Sequence, residues 1–170
     1  MRNIFLATTL LISISTFGQR KVDPTDTLRI YGNLKTGLTF TIVDLDTFRT
    51  KAVNDIIVTN NQGETKKTVK GLKGFLLKEL LATADFQTEK PKELNEFYFI
   101  FIASDNYKVV FSWNEIFNTE TGNNLYVITE KEGKRIKEMD ERILIITSTD
   151  FKTGRRYIKG LEKIIVKRID

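Results

Sequence analysis

The sequence predicts a single domain of the α+β class, rich in β-strands arranged in mixed sheets and with one main helix. Three observations lead to this prediction. Apolar runs of strand length recur along the chain, and short polar turns separate them. Only one longer segment repeats its apolar residues with a helical period. The 170 residues are 41% hydrophobic and include 12 Phe but only two Pro, which suits a packed core rather than a disordered chain.

The start of the chain, residues 1–18, has the pattern of a signal peptide. Arg2 supplies a positive charge, and the mostly apolar stretch 4–14 follows it. Small residues precede a cleavage point before Gln19, and the apolar stretch is too short to span a membrane stably. We therefore expect a Sec-type leader and a periplasmic or secreted protein without a stable membrane anchor. The alternative interpretation is a buried N-terminal helix.

The rest of the chain is expected to form a flexible, polar lead-in at 19–27 and one domain at 28–170. The predicted strands are apolar or alternating runs that end at Gly, Asn or Asp turns. In chain order they are 28–34, 38–48, 55–61, 97–104, 105–113, 125–133, 142–150 and the closing run 161–169. We expect Asp44 or Asp46 to start a short helix within the second run. The basic segment 66–74 is either irregular or a strand.

Two regions have more specific patterns. The main helix is predicted at 74–84, because its apolar residues fall on one helical face. These residues are Leu76, Leu77, Leu80, Leu81 and Ala84. The run 97–104 is apolar on both faces, which predicts a central strand buried on both sides, with 105–113 as its hairpin partner. One helical turn is predicted at 114–117.

The composition excludes several kinds of active site. The chain has no Cys and no His. Disulfides, thiolate nucleophiles, His general bases and the usual zinc ligands are therefore absent, and a Ser-His-Asp triad is impossible. No acidic loop of the calcium-binding pattern occurs. The formal charge of +5 is spread among acidic residues, so nucleic acid is not an expected partner.

The stretch TGRRYIKG at 153–160 groups three cations, Arg155, Arg156 and Lys159, at the start of the last strand. Gly154 would let the backbone approach an anion. Arginine offers a planar fork to phosphate-type oxygens, and lysine adds a point charge. The alternative is a solvated basic edge that protects the strand from aggregation.

A second candidate site lies in the turn after the strand 97–104. Asp105 and Tyr107 could direct a carboxylate and a phenol into a pocket. We favour a simpler interpretation, in which Asp105 makes a local turn contact and Tyr107 packs.

Four segments in order resemble the oxidoreductase molybdopterin-binding domain of the sulfite oxidase family. They are LRIYGNL with FTIVDLDTF, KGLKGFLLKELLATA, FIFIASDNYKVVFSW, and ILIITSTDFKTGRRYIKGLEKIIV. Together they cover 28–169. The third segment has Asn106 where the family has glycine. The resemblance implies the fold of that domain and a place for its pterin cofactor.

The resemblance also implies site residues. In the family, a G-x-R-x-V-K segment lies against the cofactor and its phosphate, and Gly154, Arg156, Ile158 and Lys159 match it. Gly160 stands where the family has tryptophan or a similar residue, which removes one expected wall of the pocket.

The resemblance fails at the metal. The family holds molybdenum with one cysteine, and the matching position falls on Thr59 or Asn60, neither of which supplies a thiolate. A Sec-type leader also opposes a cofactor that is inserted in the cytoplasm. We therefore expect an exported, non-catalytic binding module for an anionic small molecule or an acidic protein, with no cofactor. The alternatives are an oxidoreductase that binds molybdopterin without a cysteine ligand, and an interaction domain without a small-molecule site.

Overall fold

The structure is a computed structural model that describes residues 22–169. Within these residues the chain forms thirteen strands, which are listed here in chain order. They are β1 (Thr27–Gly32), β2 (Leu38–Thr41), β3 (Lys51–Val53), β4 (Ile56–Thr59), β5 (Thr65–Val69), β6 (Leu72–Leu76), β7 (Phe97–Ala103), β8 (Lys108–Ser112), β9 (Leu125–Lys131), β10 (Lys134–Arg135), β11 (Leu144–Thr147), β12 (Ile158–Lys159) and β13 (Leu161–Arg168).

The helices of this region are short. The α-helices are α1 (Ile42–Leu45), α2 (Leu77–Leu81), α3 (Trp113–Phe117) and α4 (Glu120–Asn123). Two 3-10 helices occupy Pro91–Glu96 and Thr153–Arg156. No helix of residues 22–169 is both long and apolar enough to cross a membrane. The predicted signal peptide lies outside the residues that the structure describes.

The strands form two sheets and a separate hairpin. The first sheet has the order β2-β1-β13-β7-β8, and β1 pairs with β13 in parallel. The second sheet has the order β12-β11-β9-β6-β3, with β10 paired to β9. The hairpin consists of β4 and β5. One hydrophobic core contains side chains from both sheets, including Phe99, Phe101 and Phe111 of the first and Phe75 of the second.

The β-rich class is confirmed, but the main helix is much shorter than predicted. Residues 72–76 form β6, and only Leu77–Leu81 is helical. A Cβ on Gly74 would lie 2.3 Å from the carbonyl oxygen of Val127, so glycine lets β6 lie close to β9. The basic segment 66–74 contributes to β5 and β6. The short helix predicted to start at Asp44 or Asp46 begins instead at Ile42. Its N-cap is Thr41, whose side chain accepts a hydrogen bond from the Asp44 backbone N–H.

The predicted hairpin of 97–113 is confirmed as β7 and β8, but β7 is not buried on both faces. Its odd-numbered residues are buried and its even-numbered residues are only half-buried. The predicted lead-in also joins the domain within the described residues. Thr25 is buried and forms a β-bridge with Arg142, and β1 begins at Thr27.

Candidate functional site

A cavity of about 690 Å³ lies where three parts of the chain meet. The β4–β5 hairpin forms one wall, with the residues from Val58 to Gln62 at its tip. The turn between β7 and β8 contributes Asp105 and Tyr107, and the segment before β13 forms the remaining wall. Val22, the first described residue, also lines the cavity. Its size falls in the usual range for small-molecule sites.

Four of the six predicted site residues line this cavity. They are Thr59, Asn60, Gly154 and Lys159. Residues that lie about a hundred positions apart in the chain are therefore neighbours. Arg155 and Arg156 are not among the lining residues.

Arg156 forms internal hydrogen bonds and does not line the cavity. Its Nε atom donates to Asp150 Oδ2 at 2.6 Å, and its two terminal nitrogens donate to Asp150 and Glu115. The guanidinium also lies 4.7 Å from the ring centre of Phe111. The hydrogen bond to Asp150 is the main cause of the raised pKa of Arg156. Asp150 and Glu115 therefore occupy both forks of the guanidinium, which leaves Arg156 no free fork for an external anion in this arrangement.

Arg155 has an exposed side chain. Its backbone carbonyl oxygen accepts a hydrogen bond from the Tyr107 hydroxyl at 2.6 Å. The backbone of Arg155 therefore fixes the phenol of Tyr107, which lines the cavity.

Gly154 is explained by the protein and not by a ligand. A Cβ at this position would lie 1.9 Å from the carbonyl oxygen of Thr59. Its neighbour Thr153 donates to the Ile57 carbonyl oxygen at 2.5 Å and accepts from the Thr59 backbone N–H at 3.1 Å. Glycine is required here because the backbone of β4 occupies the space that a side chain would need. Packing against β4 therefore accounts for glycine at position 154 independently of any anion.

Thr59 and Asn60, the two positions on which the resemblance places the metal ligand, have different roles. The Asn60 side-chain oxygen accepts from the backbone N–H groups of Gln62, Gly63 and Glu64, and its amide donates to the Glu64 side chain. Its polar atoms therefore shape the tip of the hairpin. The Thr59 hydroxyl is buried and has no hydrogen-bond partner within the described residues. An unpartnered buried hydroxyl is costly and is a candidate contact for a ligand.

The cavity carries more positive charge than the motif predicts. Lys66 and Lys67 of β5 line it together with Lys159, whereas Asp105 is the one carboxylate among its lining residues. None of the three lysines forms an ion pair within residues 22–169. Lys66 and Lys67 were visible in the sequence only as a basic segment, because nothing there indicates that β5 folds toward 153–160.

Tyr157 is the other lining residue that the sequence did not single out. Its side chain is 8% exposed, and its hydroxyl has no hydrogen-bond partner within the described part of the chain. Burial raises the pKa of Tyr157, so the phenol is neutral at physiological pH. The Lys67 ammonium lies 5.4 Å from the centre of the Tyr157 ring.

The turn between β7 and β8 has the contact that the sequence predicts. The Asp105 carboxylate accepts from the Tyr107 backbone N–H at 2.9 Å, although both residues also line the cavity. Asn106 has a φ of 64°, a conformation that glycine adopts freely and asparagine tolerates better than most residues. Asparagine therefore fits this turn at the position where the resemblance implies glycine.

The backbone conformation at position 160 also favours glycine. Its φ is +64°, and a Cβ there would lie 2.7 Å from the carbonyl oxygen of Asp23 and 2.8 Å from the Ser104 hydroxyl. A larger side chain at this position would displace the lead-in. The lead-in backbone occupies the space that a larger side chain at this position would need.

The donors around Thr59 do not fit a molybdenum ion held by the protein. The soft thiolate is replaced by a hydroxyl, and the neighbouring amide of Asn60 is occupied by its own loop. Within residues 22–169 no group of three or more His, Cys, Asp or Glu could hold a metal ion. The lysines and the two unpartnered hydroxyls suit an anion better than a cation.

No protein-family model matches the chain. No curated protein matches its sequence. Its fold is similar to that of solved structures, including the sulfane dehydrogenase SoxCD from Paracoccus pantotrophus, with a TM-score of 0.61 and 16% sequence identity. The match covers 84% of this chain and only 39% of that chain. The chain therefore shares its fold with part of that protein, and the likeness extends to the fold alone.

Proposed function

We propose that this chain is an exported binding module that holds an organic anion in the cavity between the β4–β5 hairpin and residues 153–159. The observation that carries the proposal is the excess of unpaired positive charge. Lys66, Lys67 and Lys159 line the cavity against the single carboxylate of Asp105. Unpaired ammonium groups around a partly enclosed space attract anions, and the attraction is stronger than on an open surface.

The buried hydroxyls of Thr59 and Tyr157 support the same proposal. Each lacks a partner within the described residues, so each can gain a hydrogen bond when a ligand or an ordered water enters. A neutral phenol and a threonine hydroxyl can both donate to an oxyanion. Export is proposed from the leader pattern of residues 1–18, and N-terminal sequencing of the mature protein checks it.

Titration calorimetry on the full mature protein tests the cavity. Inorganic phosphate, pyrophosphate, AMP and citrate serve as probes, and native mass spectrometry of protein from its own host detects an anion that co-purifies. Lys67→Gln and Lys159→Gln should each weaken binding of a probe at least tenfold. Lys137→Gln is the matched control, because Lys137 is exposed and lies outside the cavity. Equal binding by all three variants would contradict the proposal.

The oxidoreductase alternative is tested on the same preparation. The fold likeness favours keeping it as a second candidate, and elemental analysis for molybdenum separates the two. Near-stoichiometric molybdenum would replace the binding module with an enzyme whose metal has no thiolate from this chain. Binding of an anion without molybdenum supports the module.

A further inference from the structure

The first sheet has a second face that is open to solvent within the described residues. Its inner face carries Phe99, Phe101 and Phe111 into the core. Every side chain that alternates to the opposite face on β1, β13, β7 and β8 is exposed or half-buried. We call this the outer face, and it consists of Arg29, Tyr31, Tyr98, Ile100, Ile102, Lys108, Val110, Ser112, Lys163, Ile165 and Lys167.

An apolar row crosses the outer face from one strand to the next. Tyr31 lies opposite Ile165, Ile165 opposite Ile100, and Ile100 opposite Val110. Four neighbouring strands give the row a length of about 14 Å. The two ends of the row are the most open, since Tyr31 is 41% exposed and Val110 is 56% exposed. Adjoining apolar side chains exposed on a sheet face are a candidate contact surface for another molecule.

Cations surround this row. Arg29 lies opposite Lys163, and Lys108 continues the same row beyond Ile102. On the other side of the apolar row, Lys167 lies opposite Tyr98. The carboxylate that pairs with these cations within the described residues is Glu162, 3.8 Å from Arg29 and 3.2 Å from Lys163. Lys108 and Lys167 form no ion pair in the described part of the chain.

We propose that the outer face docks an acidic protein partner, which places exposed apolar side chains on the row and carboxylates on the surrounding cations. This pattern of an apolar centre and a charged rim is the usual anatomy of a protein interface. The charge complementarity selects an acidic partner and raises its association rate. The proposal does not rest on the cavity, since none of the outer-face residues lines it.

Other occupants fit less well. In a symmetric pair of copies the same face would meet itself, so the cations would face one another. Insertion into a membrane requires protruding apolar side chains, whereas Ile100 and Ile165 in the middle of the row are half-buried between their neighbours. Residues 1–21 of this chain are a further possible cover and form one arm of the test.

Site-specific photo-crosslinking in the native host tests the proposal. A photoreactive amino acid replaces Val110, and the same amino acid at Ile57 is the control. Ile57 is 52% exposed and lies on β4, away from the outer face. Mass spectrometry identifies the cross-linked molecule and the contact residues on it. We expect Val110 to capture another protein through a surface rich in Asp and Glu.

Charge reversal then tests the reason for the contact. Lys108→Glu with Lys167→Glu should lower the cross-linked yield at least tenfold, whereas Lys70→Glu with Lys137→Glu should leave it unchanged. All four lysines are exposed, so neither pair should alter the fold, and the melting temperature checks this. A cross-link to a second copy, to residues 1–21 or to lipid would overturn the proposal. So would a yield no higher than that from Ile57, or a yield insensitive to charge reversal.

Discussion

Replacing Arg156 with Met should destabilise the protein without removing anion binding from the cavity. The guanidinium joins three parts of the fold. It binds Asp150, just before the 3-10 helix that contains Arg156, and Glu115 on α3, and it lies over the ring of Phe111 on β8. The side chains of Arg156, Asp150 and Glu115 are 21%, 11% and 31% exposed. Methionine keeps much of the packing but leaves both carboxylates without their cation.

The magnitude follows from these contacts. Hydrogen bonds to charged groups contribute about 1.5–3 kcal/mol each, and the contact with the Phe111 ring adds about 0.5–1 kcal/mol. Partial exposure and non-additivity reduce the total, so we expect a loss of about 3 kcal/mol in the free energy of unfolding. For a domain of this size that corresponds to a melting temperature lower by roughly 6–12 °C.

Urea unfolding followed by the fluorescence of the single tryptophan, Trp113, measures this loss. The matched control is Arg155→Met, which changes an adjacent, exposed arginine and should alter stability by less than about 0.5 kcal/mol. Lys159→Gln should show the opposite behaviour, with normal stability and weakened anion binding. If the Arg156 and Arg155 variants were equally stable, the assignment of Arg156 as a structural residue would be wrong.

Three further outcomes are expected around the cavity. Gly154→Ala should lower the free energy of unfolding by about 2–3 kcal/mol, because the new methyl group would clash with the backbone of Thr59. A urea midpoint equal to that of the wild type would refute this prediction. Thr153→Val should lower the free energy of unfolding by about 2 kcal/mol and speed amide exchange in the β4–β5 hairpin, because both hydrogen bonds to β4 are lost. Thr153→Ser keeps both hydrogen bonds and should have neither effect. Equal exchange rates in the two variants would count against this reasoning. Burial raises the pKa of Tyr157, so above about pH 10 the unfolded chain ionises first and stability falls. Tyr157→Phe should be no less stable at pH 7 and lose less stability between pH 9 and 11; parallel profiles for the two proteins would contradict this reasoning.

Local patterns predicted the strands well because alternation and turn residues act over a few positions. For the same reason, the helix predicted at 74–84 was longer than the observed helix Leu77–Leu81. The leucines of this segment satisfy a helical period, but β9 is available to pair with 73–76, and each residue's partner lies fifty or more positions away. Long-range pairing therefore decided what local periodicity could not.

The candidate site shows the same limit. Arg156 and Lys159 belong to one short motif and look equivalent in the sequence. Their roles separate only because Glu115 and Asp150 lie beside one and not the other. Lys67 and Tyr157 could not be connected from the sequence, since the hairpin brings them together across the fold.

In the run 97–104, the sequence pattern and the observed burial differ on one face of the strand. Its apolar residues on both faces predicted a strand with cover on both sides. The described part of the chain covers only the face that carries Phe97, Phe99 and Phe101. Sequence pattern and structure agree if the cover for Ile100 and Ile102 comes from another molecule, which is what the outer-face proposal states.

The position of β13 affects when this protein can fold during its synthesis. This strand lies between β1 and β7, so the first and the last strands of the described chain are neighbours. A nascent chain that has reached Gly160 has made every strand of the first sheet except the middle one. Such a chain cannot assemble the sheet, and the many long-range pairings delay folding further. For a protein with the export leader that we propose, this delay would keep the chain unfolded while a translocation channel threads it.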